Sequence, residues 1–135
     1  DITVVSYGST FNLCIQAASE LEELNISCEL VDVQTLLPFD TSHLIVNSLK
    51  KTNKVIFIDE DVSGGATAYM MDQVINTQKG YYHLDAQPVT LTSKDHRPAY
   101  GSDGDYFSKP SIDDIVENIY GMMTEYDPKK YPKIM

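Results

Sequence analysis

The stretch DEDVSGGATAYMMDQV, Asp59 to Val74, sets three carboxylates just ahead of a glycine pair. Residues of these types at this spacing allow more than one chemistry. A glycine-rich turn opening a helix can offer backbone N–H groups to a phosphate. Carboxylates held in unlike surroundings can act as general acid and general base. The alternative is architectural: Gly64 and Gly65 would permit positive φ and a close backbone approach where a buried strand turns into a helix. A P-loop requires Lys-Ser/Thr behind its glycines, whereas Ala66-Thr67 follows here, and the first strand is followed only by YGST rather than a dinucleotide fingerprint. The architectural use is therefore expected for Gly64 and Gly65. Asp59, Glu60 and Asp61 are expected as solvated, helix-capping or interface carboxylates, with strand alternation pointing Asp59 and Asp61 one way and Glu60 the other.

A second concentration of reactive types is DHRPAYGSDGDYF, which combines His96, Arg97, Tyr100 and Tyr106 with several acids in an irregular run. Irregular segments laid over a rigid sheet are common binding sites. Three uses stay open for it: a solvent loop, a contact with another domain or subunit, or a contact with substrate or cofactor. The three histidines, His43, His83 and His96, are not at metal-ligand spacing, so no zinc site is expected. Cys14 and Cys28 belong to no Cys-x-x-Cys motif and read as buried, inert thiols of a reduced, cytoplasmic chain. No Gly-x-Ser-x-Gly elbow is present to present a nucleophilic serine.

The elements that must position these residues alternate in period. Ile2–Tyr7 reads as a strand, and from Thr10 to Asn25 apolar residues recur three and four apart, predicting a helix capped by Ser9 or Thr10. Ser27–Gln34 is a second strand, ended by the turn around Pro38. A helix capped by Asp40 or Thr41 buries Leu44, Ile45 and Leu49 and ends in Lys50 and Lys51, which suit the negative end of its dipole. Lys54–Asp59 is almost continuously apolar, as a strand covered on both faces should be. A third helix is expected from the glycine pair to Gln78, burying Met70, Met71, Val74 and Ile75 and closed by Gly80. Val89–Thr92 is a fourth strand. The last helix is signalled by Ser111 with Asp114 three residues on, ahead of an apolar stripe from Ile112 to Met123.

This alternation predicts a single α/β domain over 1–126, three-layered, with a mostly parallel sheet of about five strands. The tail, 127–135, is expected to be loose or docked on a partner. The 135 residues carry a formal charge of −10, which argues against a nucleic-acid or anionic-membrane partner. No apolar run is long enough to span a bilayer. The chain opens at Asp1 and enters a strand at once, so it reads as a piece of something longer.

VVSYGST, ELVDVQTLLPFD, KKTNKVIFIDEDVSGG and TLTSKDHRPAY together resemble the C-terminal domain of the transketolase family. Within that family they are most similar to the β part of the E1 component of 2-oxoacid dehydrogenases. The resemblance spans nearly the whole chain. Asp32, Thr35, Leu36, Pro38 and Asp40 match its most specific motif, while Gln34 stands where Arg is usual. Ala66-Thr67-Ala68-Tyr69 replaces the usual Phe-Gly-Ala-Glu, and Asp95-His96-Arg97-Pro98-Ala99-Tyr100 departs from Asp-x-Pro-x-Pro-Tyr. DGDYFSKPS resembles a variant in which the α and β parts are fused.

The resemblance implies a non-catalytic assembly and docking domain of a thiamine-diphosphate-dependent oxidoreductase, with no catalytic, cofactor-binding or metal-ligating residue of its own. Thiamine diphosphate and magnesium would lie in the enzyme's other domains, and the isolated domain would be inactive. Implied partners are those thiamine-binding domains, a homo-oligomer partner and the E2 acyltransferase. Asp59, Glu60, Asp61, Gly64, Gly65, His96, Arg97, Tyr100 and Tyr106 are the residues expected at a subunit interface or functional loop. Rival readings are the matching domain of a transketolase or 1-deoxyxylulose-5-phosphate synthase, which would need a basic sugar-phosphate pocket, and a free-standing interaction module.

Overall fold

The computed structural model describes residues 1–34, 39–40, 42–62, 65–93 and 111–132. Among them, four parallel strands form one sheet in the order β2-β1-β3-β4: β1 Ile2–Ser6, β2 Cys28–Asp32, β3 Val55–Val62 and β4 Val89–Ser93. Four α-helices join them: α1 Gly8–Glu23, α2 Leu44–Thr52, α3 Ala66–Asp72 and α4 Ile112–Tyr126. The expected α/β alternation and three-layer build are present.

Alternation along the strands divides the core in two. Ile2, Val4, Ile56 and Ile58 point to one face, where they meet Cys14, Ala17 and Leu21 of α1 and Ile115, Ile119 and Met123 of α4. Val5, Val55 and Phe57 point to the other and meet Ile45 and Leu49 of α2, Met70 of α3 and Val74. Every residue of β1 is buried, which is why its sequence shows no polar face. Thr3 is accommodated on the α2 side by hydroxyl contacts of 2.7 Å with Ser48 and 2.6 Å with Thr52. Ser6 donates to the Ile58 carbonyl at 2.7 Å.

The starts of α2 and α4 are capped as expected, while the ends of α1 and the closure after α3 differ. α1 begins at Gly8, at φ 62°, and its cap position is Tyr7, whose side chain does not cap the helix, so neither Ser9 nor Thr10 holds the cap position. It stops at Asn25, which takes the left-handed φ of 65°. Asp40 satisfies the start of α2 from four residues upstream: its carboxylate accepts from the N–H groups of Leu44 at 2.9 Å and Ile45 at 3.1 Å. The residue in the formal cap position is His43, at φ 55°. After Asp72, α3 loosens into a π-helical turn, Gln73–Thr77, sealed by Gln78 N–H to Gln73 O at 2.8 Å.

Lys79, at φ 58°, makes the left-handed turn expected of Gly80, which opens a 3₁₀ turn, Gly80–His83. Gly80 is required for space instead: a Cβ there would sit 2.7 Å from the Val74 carbonyl oxygen. The Ser111–Asp114 capping box forms in both directions, at 3.1 and 3.0 Å.

The first part of the tail packs on its own domain. Tyr131 is 2% exposed and joins the α1–α4 core. Its ring meets Tyr120 edge-on at 6.4 Å, and Tyr120 donates to the Pro132 carbonyl at 2.6 Å. Among the described residues, no helix is long and apolar enough to cross a membrane.

Candidate functional site

Asp59 lies near the carboxyl end of β3, where the alternation of Val55 and Phe57 leads, and is only 1% exposed. It is therefore enclosed by the domain rather than solvated. Glu60 and Asp61 belong to the same strand. The backbone ladder is irregular across this run. Ile58 pairs with Leu91 but Val62 pairs with Ser93, so β3 accommodates two more residues than β4 between those points. Gly65 precedes α3 at φ −84°, so the positive φ expected of it is not used. Gly64, His96, Arg97, Tyr100 and Tyr106 lie outside the described residues.

Burial pushes both thiols, Cys14 and Cys28, up to about 11, which keeps them protonated and unreactive near neutrality. His43 and His83 sit in separate connections, before α2 and in the 3₁₀ turn. No three His, Cys, Asp or Glu residues gather as metal ligands among the described residues.

The structure does assemble a site at the opposite, amino end of the sheet. Lys54, just before β3, is buried to 3% exposure. Its backbone is pinned, since its carbonyl accepts from Thr3 N–H at 2.8 Å and from the Thr52 hydroxyl at 3.2 Å. Its Nζ lies 3.1 Å from Asp85 Oδ1 and 3.4 Å from Oδ2. On another side it sits 3.4 Å from the ring centroid of Tyr126, the last residue of α4. A buried ammonium costs several kcal/mol unless it is paired; the carboxylate and the ring face together offset that cost. Asp85 is anchored in turn, its N–H donating to Asn53 O at 2.9 Å.

Asp85 and Tyr126 border a groove of about 740 Å³ between α4 and the 85–89 segment leading into β4. Its helical wall carries Glu117, Gly121 and Glu125, spaced at i, i+4 and i+8 and so aligned on one face. Met122, Pro88 and Val89 add apolar surface. Two ion pairs form among the described residues, Lys51–Glu29 and Lys54–Asp85, and neither involves Glu117 or Glu125. Gly121 is helical, and a Cβ on it would meet nothing within 4 Å. Glycine inside a helix costs about 1 kcal/mol against alanine, and no neighbour in the described chain requires it. The groove thus combines carboxylates, an aromatic edge and a bare stretch of helix backbone. That combination suits a cationic side chain carried on an apolar stem.

Sequence reasoning passed over this groove. The sequence places Lys54 at the start of the third strand and marks Asp85 with no motif. The available signal was the Glu-x-x-x-Gly-x-x-x-Glu spacing on α4, with a glycine where a better helix former would be expected.

Comparison with known proteins adds the lineage. The model of the family described as Transketolase, C-terminal domain, matches residues 1–114. The Asp85 wall of the groove lies inside that match and the Glu117–Tyr126 wall beyond it. The chain is 36% identical over 95 residues to a pyruvate dehydrogenase E1 component subunit beta of Acholeplasma laidlawii, covering 70% of this chain and 28% of that protein. It is 34% identical over 95 residues to a 2-oxoisovalerate dehydrogenase subunit beta of Bacillus subtilis, with coverage of 70% and 28%. A pyruvate dehydrogenase E1 component subunit beta of Rickettsia felis is 26% identical over 118 residues, covering 87% and 36%. The chain spans roughly a third or less of the length of these relatives.

Proposed function

We propose, for a chain that belongs to the transketolase C-terminal domain family, that it is the non-catalytic assembly and docking domain of a thiamine-diphosphate-dependent 2-oxoacid dehydrogenase E1. Pyruvate and 2-oxoisovalerate dehydrogenase beta subunits are among its relatives, which supports a 2-oxoacid as the substrate class. Thiamine diphosphate, when bound in such an enzyme, supplies the carbon nucleophile and electron sink for decarboxylation. We assign that group and its divalent cation to the other domains of the parent enzyme; among the described residues no three His, Cys, Asp or Glu side chains gather as metal ligands. No chemical step is assigned to them.

The observation that carries the docking role is the groove beside Asp85 and α4. In open α/β sheets, small ligands bind outside the carboxyl ends of the strands. This groove lies at the amino ends of β3 and β4 and is lined by exposed Glu117 and Glu125. Its charge complements a partner that presents Lys or Arg, and we assign that partner as the E2 acyltransferase. The Glu60–Gly65 corner and the segment containing His96, Arg97, Tyr100 and Tyr106 are assigned to contacts with the thiamine-binding domains or a second subunit, with Asp59 buried behind that corner.

Two measurements test this reading. Titrating the intact parent enzyme with its acyltransferase, Glu117→Gln and Glu125→Gln should each weaken association by roughly two- to fivefold, as loss of an exposed charge pair does. Unchanged affinity in both variants would remove the groove from the docking surface. Calorimetric titration of thiamine diphosphate and magnesium into the 135-residue chain should give no binding, and micromolar binding would defeat the non-catalytic assignment.

A further inference from the structure

We infer that Lys54 is a specificity-determining residue of the docking groove: by compensating Asp85 from below, it leaves recognition of a partner's cation to Glu117 and Glu125. The inference rests on the docking reading above and goes beyond it by dividing the groove's carboxylates into two kinds. Asp85 is the acid nearest the sheet, and its side chain is 39% exposed, so by position alone it would be the obvious contact. Both of its oxygens, however, face the Lys54 ammonium, at 3.1 and 3.4 Å. The Lys54 side chain is only 4% exposed, and its ammonium is held between the Asp85 carboxylate and the Tyr126 ring. A fixed positive charge directly behind a carboxylate cancels most of its field in the groove.

Glu117 and Glu125 are placed differently. They are exposed, they sit one helical turn either side of Gly121, and no cation lies within ion-pair distance of them among the described residues. The missing side chain at Gly121 leaves space between them into which a lysine or arginine stem can lie against the helix. Lys54 has a second effect. By drawing the Tyr126 ring over itself at 3.4 Å, it fixes the ring as a wall at the end of the groove, so an incoming cation is directed to the glutamate stripe.

The test compares variants of the intact parent enzyme, titrated with its acyltransferase at low and at physiological salt. In the native background, Asp85→Asn should weaken binding clearly less than Glu117→Gln or Glu125→Gln. Lys54→Met should uncover Asp85, whose backbone remains held by Asn53. Affinity at low salt should then rise by about fivefold and its salt dependence steepen, a gain that adding Asp85→Asn should abolish. Lys54→Arg should restore native behaviour. An Asp85→Asn loss as large as that of Glu117→Gln overturns the inference, and that comparison needs no change at Lys54. So does a folded Lys54→Met enzyme with native affinity and salt slope, provided the glutamate variants bind more weakly. If the glutamate variants and Lys54→Met all bind as the native enzyme does, the docking reading itself fails.

Discussion

Gly80 and the two cysteines show how local surroundings decide what a residue is for. A Cβ at Gly80 would meet a backbone oxygen at 2.7 Å, and Leu49 and Val74 side-chain carbons at 3.3 Å. Backbone cannot swing aside as a flexible side chain can, so Gly80→Ala should destabilise the domain by about 1–3 kcal/mol. Thermal or urea unfolding would measure it, and an unchanged midpoint would contradict the contact. Cys14 and Cys28 are held up to about 11 from an ordinary 9.0. Because their folded values lie above the unfolded ones, the folded state retains protons that the unfolded state releases between those limits. Stability from this source is therefore complete below about pH 9 and lost as pH rises toward 11. Replacing both cysteines with alanine should flatten that alkaline decline, and alkylation of the native thiols at pH 8 should be much slower than after unfolding.

Among the elements, α4 is the one whose sequence and structure agree most closely. Ser111 and Asp114 satisfy each other's backbone N–H groups, and Ile115, Ile119, Met122 and Met123 form the buried side. A capping box is local chemistry, so four residues suffice to announce it. Ser111→Ala should cost about 1 kcal/mol, readable as a lowered unfolding midpoint, with Ser111→Asp largely restoring it. Other helix ends were harder to read because their partners are distant or backbone-made. α1 uses Gly8 and Asn25 at positive φ, whereas the start of α2 is met by the Asp40 carboxylate, one of the two caps expected from the sequence. The π-helical turn after α3 accompanies the close approach of Gly80 to Val74, a tertiary fit that the periodicity of α3 could not foretell.

For the whole molecule, one sheet serves two cores. Phe57 and Ile119 lie on opposite sides of it, each essentially buried, yet the strands between them are shared. Phe57→Ala should cost about 3–5 kcal/mol and Ile119→Ala about 2–5 kcal/mol, and each should lower a single common transition; two separate transitions would show that the layers fold independently. The charge of −10 adds self-repulsion, so stability should rise from low to physiological ionic strength. By itself the sequence determined the α/β alternation, the strand cores, the Ser111 cap and the family, because period, capping spacing and family motifs are properties of neighbours along the chain. Only the tertiary structure decided that Asp59 is enclosed, that Tyr131 returns to the α1–α4 core, and that Asp85, paired with the buried Lys54, borders one groove with Glu117. Those residues come together through the parallel order β2-β1-β3-β4, which joins points far apart in sequence, and no local pattern encodes which carboxylate a buried ammonium will meet.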